Sequence, residues 1–275
     1  MGKLVVAWSP IVGQGGSSTV TSSLASLIAL ETSNKVLFTH SRKSKTVLDR
    51  LYKTADTNLT KNGMEGLERL IKSGLISKEA IRDYADTIYK NKLYYLQSGY
   101  NVDETEIQNA RQLFSVLQAA LDAFDIVFVN ACNDISSIAT KSLLSQAHSV
   151  IVTLPQNQFV IEAFFNGELM PEELKNKENI IVVITNYDDK ANLSLRNIKR
   201  KSKLKLSVHA YPYVTELKNA INSEGLSDFY FRSLSAKKGS DVFNLMNSIR
   251  SINMDLLNQL DLESSELIAA GENSL

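Results

Sequence analysis

Five short apolar runs, at 4–8, 35–39, 126–129, 150–154 and 180–185, recur along the chain with long amphipathic stretches between them. Each is about five residues long, rich in β-branched side chains and free of polar alternation. That pattern belongs to strands covered on both faces, and such strands are found in parallel sheets flanked by helices. Two weaker runs, 93–97 and 206–210, extend the series. Helical spacing of apolar residues fills the intervals at 18–30, 63–73, 78–89, 105–123, 137–146, 158–167, 193–201, 215–225 and 240–260. Near-strict alternation of the two patterns predicts a doubly wound α/β fold, its sheet mostly parallel, with helices on both faces and right-handed crossovers.

No internal repeat, low-complexity tract or Pro/Gly-rich linker divides the chain. The expected organisation is one domain over 1–254 followed by an acidic C-terminal helix or tail over 255–275, with 261–275 rich in acidic and small residues. Thirty Lys and Arg balance thirty Asp and Glu, so no global field draws in nucleic acid or an anionic membrane. The single cysteine, Cys132, excludes an intrachain disulfide and a multi-cysteine zinc site. No apolar run approaches the roughly 18–20 residues of a membrane span, and the first residues lack a secretory pattern. A cytoplasmic protein is expected.

In a doubly wound sheet, ligands bind outside the carboxyl ends of the strands. The segment after the first strand reads Ser9-Pro10-Ile11-Val12-Gly13-Gln14-Gly15-Gly16-Ser17-Ser18-Thr19 and runs at once into a helix. Three glycines in four residues allow the positive φ values that turn successive N–H groups inward, and the helix N-terminus adds donors and its positive pole. The segment has the form of a phosphate cradle. A glycine-rich turn that only lets strand and helix pack closely has the same composition; the hydroxyl triplet Ser17-Ser18-Thr19 favours the cradle.

This stretch resembles the deviant P-loop of the MinD/ParA family of ATPases, Lys-Gly-Gly-x-Gly-Lys-Thr/Ser-Thr, with Gly13, Gly16, Ser18 and Thr19 matching. The likeness extends through the order and spacing of elements to about residue 252. It implies a P-loop NTPase-like fold that binds ATP or ADP. Gly13, Gln14, Gly15, Gly16, Ser17, Ser18 and Thr19 then face the phosphates, with Ser18 as the magnesium ligand. Asn186 and Tyr187 stand where the family contacts adenine, and Pro212 and Tyr213 match the loop that covers the base. A face-to-face homodimer is also implied.

Four positions depart from the family. Val12 replaces the lysine that crosses the dimer interface, and Ser17 replaces the phosphate lysine. His40 stands near the aspartate after the second strand, and Asn130 stands at the Walker B aspartate. Phosphoryl transfer to water needs neutralised γ-phosphate charge, a held metal and an oriented nucleophile. Hydrolysis is therefore expected to be very slow or absent. Loss of one lysine contact removes a charge-assisted hydrogen bond of about 1.5–3 kcal/mol, or about one to two decades of affinity, so binding can survive. Arg42 and Lys43 are the candidate replacement cations, with a solvated loop as the competing reading.

Among family members, the lysine-poor loop is most similar to the atypical TadZ/CpaE proteins of Tad-type pili and related secretion machines. The resemblance thus implies a positioning or assembly factor acting through a protein partner. A partition-type ATPase that holds DNA nonspecifically is the second reading, with the basic run 199–205 as its contact, and a nucleotide-free pseudo-ATPase scaffold is the third. The segment 254–263 carries acids on its polar face, which disfavours direct membrane insertion. His40, His148 and His209 have no metal-ligand spacing, a covalent role for Ser17 or Ser18 has only His40 as a base, and Cys132 is expected to be a small buried residue.

Overall fold

The computed structural model describes residues 1–42, 46, 48–51, 63–98, 105–201 and 206–263. Eight strands form one sheet: β1 (Lys3–Trp8), β2 (Val36–His40), β3 (Asp86–Tyr89), β4 (Leu93–Tyr95), β5 (Ile126–Asn130), β6 (Ser149–Pro155), β7 (Ile180–Tyr187) and β8 (Ser207–Pro212). Their order is β3-β4-β2-β5-β1-β6-β7-β8, parallel throughout except for the antiparallel β3–β4 pair. The first half of the chain supplies helices α1 (Ser17–Glu31), α2 (Leu48–Leu51), α3 (Gly63–Lys72), α4 (Lys78–Tyr84) and α5 (Glu106–Ala123). The second half supplies α6 (Ile138–Gln146), α7 (Gln158–Phe165), α8 (Glu172–Lys175), α9 (Leu195–Lys201), α10 (Thr215–Asn222), α11 (Leu226–Ser233) and α12 (Asp241–Gln259).

The period-2 geometry of a strand sends alternate side chains to opposite faces. In β1, Leu4, Val6 and Trp8 enter the core beneath α3 to α9, while Val5 and Ala7 enter the one beneath α1, α2 and α10 to α12. β7 divides likewise, Ile180, Val182 and Ile184 on one side and Ile181 and Val183 on the other. This two-sided burial explains why the strands read as unbroken apolar runs.

Three segments differ from expectation. The helix predicted over 78–89 ends at Tyr84, and Asp86–Tyr89 becomes the antiparallel edge strand β3. The reason is a turn at 90–92 closed by the Lys92 N–H donating to the Tyr89 carbonyl (2.9 Å), with Asn91 rather than a glycine taking positive φ (61°). The helix predicted over 215–225 stops at Asn222, and Leu226 and Tyr230 nucleate α11 by entering the core. The division expected between 254 and 255 falls inside α12, whose Leu256 and Leu257 are fully buried, as is nearly all of Leu260 just beyond it. The apolar stripe there packs on the chain's own sheet.

α1 leaves the sheet toward one face, while α6 and α7, which follow the neighbouring strands β5 and β6, lie on the other. A crevice therefore opens at the carboxyl end of β1, the place where ligands of doubly wound sheets bind.

Candidate functional site

Three loops meet at that crevice. Ser9, buried at the end of β1, folds the chain back through its hydroxyl, which accepts from the Ile11 N–H and donates to the Ile11 carbonyl, each at 3.3 Å. Asn133, from the loop after β5, donates to the Ser9 carbonyl (2.7 Å) and the Ile11 carbonyl (3.4 Å). Its Oδ1 accepts from Arg42 Nη2 at 2.8 Å, tying in the loop after β2. The Arg42 guanidinium is thus turned toward Asn133, and its buried Nε has no partner. Lys43 lies outside the described residues.

The glycines are used in different ways. Gly13 (φ 74°) and Gly16 (φ 66°) occupy the left-handed region, where a side chain is strained. Gly15 is required by space, since a Cβ there would sit 1.9 Å from Ser9 Oγ. Gly16 is the N-cap of α1 and provides no side-chain cap, and the first turn of α1 carries no acid. The N–H groups of that turn keep their donor capacity, at the positive end of a 15-residue helix.

Beneath the loop, Ser17 is buried and its carbonyl accepts from the Thr21 hydroxyl (2.7 Å). Ser18 Oγ accepts from Asn130 Nδ2 at 2.9 Å. Asn130 is fully buried, and its Oδ1 has no partner. His40 stands level with Asn130 on the adjacent strand. Its Nδ1 accepts from the Arg42 N–H (3.2 Å) and its Nε2 lies 3.4 Å from Asp49 Oδ1. Burial alone would raise the Asp49 carboxyl, but hydrogen bonds from His40, Tyr95 and the Thr46 N–H hold it below its ordinary value. His40 is therefore occupied inside the fold. Val12, by contrast, is 74% exposed.

The opposite wall comes from the ends of β7 and β8. Asn186 takes positive φ (49°), and the Tyr213 N–H donates to the Tyr187 carbonyl at 3.2 Å, drawing the two loops together. The Tyr187 hydroxyl accepts from the Leu195 N–H, which directs that ring away. Lys218 of α10 lies over the Tyr213 ring, 5.7 Å from its centroid. Gly13, Gln14, Gly16 and Thr19 line one side of a cavity of about 590 Å³, and Asn186, Pro212, Tyr213 and Lys218 line the other. The predicted phosphate and base residues thus converge, although Gly15, Ser17, Ser18 and Tyr187 are not on the cavity wall.

Sequence reasoning missed Asn133, Lys218 and a buried hydroxyl cluster behind the loop. In that cluster Ser23 Oγ donates to the Thr19 carbonyl (2.7 Å) and pairs with the hydroxyls of Tyr211 (2.6 Å) and Tyr230. Burial pushes the Tyr211 phenol up to about 12. Cys132, expected to be buried, is partly exposed.

Magnesium takes hard oxygen ligands, and proteins hold it through carboxylates. Among the described residues, Ser18 Oγ and the orphaned Oδ1 of the Asn130 that donates to it are both neutral oxygens. Asp134, in the β5–α6 loop, has its carboxylate turned onto the N–H and hydroxyl of Ser136. This donor set does not fit a protein-held magnesium ion. Among the described residues, no group of three His, Cys, Asp or Glu could hold a metal, and no helix is long and apolar enough to cross a membrane. Of the basic run, Lys199 and Arg200 lie on α9, and 202–205 fall outside the described residues.

No protein-family model and no curated protein matches the sequence. Solved structures do. A ParA family ATPase from Chlorobium tepidum TLS superposes with a TM-score of 0.69 at 14% identity, over 92% of this chain and 98% of that one. The septum site-determining protein MinD from Pyrococcus horikoshii OT3, complexed with Mg-ADP, gives 0.62 at 13%, over 92% and 96%. A chain of the MinC:MinD cell division protein complex of Aquifex aeolicus gives 0.63 at 15%, over 95% and 97%. Identities this low carry the architecture and leave the chemistry to the site itself. The chain has the doubly wound fold of the MinD/ParA ATPases.

Proposed function

We propose that the chain is a nucleotide-binding positioning or assembly factor that holds ATP or ADP and hydrolyses ATP very slowly or not at all. The observation that supports this most is the shared cavity, in which Gly13, Gln14, Gly16 and Thr19 face Asn186, Pro212 and Tyr213 across about 590 Å³. A purine nucleotide fits a space of that size with its phosphates toward the N-terminus of α1. Slow turnover follows from chemistry. Asn130 and His40 offer no carboxylate at the two acidic positions, and Val12 and Ser17 offer no cation at the two lysine positions.

The output of such a protein is a protein contact, and the machine we assign is of the pilus or secretion kind, in the cytoplasm. A homodimer belongs to the same reading. Val12, beside Gly13, and Phe159, four residues after Pro155 of the cavity wall, are both exposed apolar side chains. Such groups are expected at an interface.

Calorimetric titration with ATP and with ADP, followed by phosphate release on the same sample, tests the reading. Binding without release supports it. Turnover at ordinary ATPase rates, or ATP-dependent retention of DNA that falls with salt, would replace it by the partition-type reading. No binding at millimolar nucleotide would reduce the loop to architecture.

A further inference from the structure

The charge around the cavity is distributed in an unusual way. Among its described lining residues there is no carboxylate and one cation, Lys218, and Lys218 sits at the Tyr213 end and not at the glycine loop. At the loop end, the outermost side chain is the exposed apolar Val12. Ser17 is buried, Ser18 is engaged by Asn130, and the Arg42 guanidinium is turned to Asn133. Among the described residues, what remains there for a phosphate is backbone N–H groups, the helix pole and the neutral side chains of Gln14 and Thr19.

Resting on the nucleotide-binding reading above, we infer that this site is filled from its base end: it takes ADP and ATP with closely similar affinity, with or without a divalent cation. Preference for a third phosphate requires a group that touches that phosphate alone, and such discrimination comes from cations or a protein-held metal. Neutral backbone donors at a helix N-terminus serve the inner phosphates, which both nucleotides possess. The described oxygens at the loop, Ser18 Oγ and Asn130 Oδ1, are neutral, so a bound cation gains no charged protein ligand from them. The base end, in contrast, has fixed features: the left-handed Asn186, the Tyr213–Tyr187 backbone bond, and Lys218 stacked over the Tyr213 ring. Occupancy of the site then reports that adenine nucleotide is present and carries no information on its phosphorylation state.

The test is calorimetric titration of the full chain with ATP and ADP, each in excess Mg²⁺ and in excess EDTA. The expected result is four dissociation constants within about threefold of one another, less than the roughly ten- to hundredfold that one charge-assisted contact supplies. A preference of about tenfold or more for ATP, or a tenfold loss in EDTA, overturns the inference and leaves nucleotide binding standing. Absence of binding in all four arms overturns the nucleotide reading and this inference with it. A second measurement uses Lys218→Ala, an exposed position whose loss spares the core. Its affinity is expected to fall by the same factor for ATP and ADP. A fall confined to ATP places the lysine at the outer phosphate and overturns the base-end assignment.

Discussion

The carboxamide of Asn130 donates to the Ser18 hydroxyl at 2.9 Å while its own Oδ1, fully buried, has no partner. One neutral side chain thus links the end of β5 to the first turn of α1. Asn130→Asp would put a carboxylate in this dry place, where desolvation disfavours the charged form. The variant is expected to gain Mg²⁺ dependence of nucleotide affinity that the parent lacks. It should also lose stability as pH rises and the new carboxyl is forced to ionise. Titration with and without Mg²⁺, together with melting curves at pH 5 and 8, checks both expectations.

Gly13 and Gly15 predict different costs for the same added methyl group. Gly13→Ala meets open space and bears only the left-handed penalty, about 1 kcal/mol. Gly15→Ala drives a Cβ to within 1.9 Å of Ser9 Oγ and 2.4 Å of Ser9 Cβ, so the β1 turn has to shift, at about 1–3 kcal/mol. Denaturant unfolding is expected to rank Gly15→Ala as the less stable. Gly15→Ala with Ser9→Gly, which clears the space, should recover part of the loss.

The buried hydroxyl cluster is expected to behave as a unit. Ser23→Ala removes the oxygen that the two phenols share and costs about 1–3 kcal/mol. Tyr211→Phe and Tyr230→Phe should be non-additive in a double-mutant cycle, because both act on one acceptor. Tyr211 also gives the cluster an alkaline signature. Burial raises its folded phenol from the ordinary 10.0 to about 12, so its stabilisation is complete below pH 10 and is lost as pH rises from there to about 12. Tyr211→Phe should remove that part of the alkaline fall.

His148 predicts an acid limb. Its Nδ1 accepts from the Leu4 N–H at 3.0 Å, so the ring has to be neutral at that atom. Burial, then Lys3 and Lys177, hold its pKa below the ordinary 6.5. The unfolded chain therefore takes up the proton first. The contribution of His148 is complete above pH 6.5 and declines as pH falls from there toward the lowered folded value. Melting temperature measured from pH 7 to 5 should fall, and His148→Gln, which can still accept from the Leu4 N–H, should flatten that part of the curve.

The C-terminal half of α12 gives a prediction about extent. Leu256, Leu257 and Leu260 are buried against the sheet, and each contributes about 1.5–3 kcal/mol. A chain cut after Met254 is expected to unfold or aggregate, where a separate appendage would leave a folded remainder. Circular dichroism and size-exclusion chromatography of the truncated chain decide this.

What could be read in advance was set by local physics. The five strong strands announced themselves because helices cover both their faces, and the glycine loop did so because positive φ leaves a compositional mark. β3 did not, since its turn relies on Asn91 and its residues Thr87, Ile88 and Tyr89 continue an amphipathic helical pattern. Long-range pairs were also out of reach. Ser23 and Tyr211 are 188 positions apart, and Arg42 and Asn133 are 91 apart, with no local spacing to connect them. Lys218 was passed over because one lysine on a helix looks like solvent-facing charge until the fold lays it over Tyr213.

Gly16, finally, leaves α1 without a cap of its own, on a helix whose core-facing residues are almost all buried. An anion arriving at that turn finishes the helix as a Ser or Asp side chain would elsewhere. Ligand binding and the closing of a secondary-structure end are then one event. The chain with its site filled is expected to resist hydrogen exchange along α1 more than the chain alone, so that the slowest-exchanging amides there report occupancy directly.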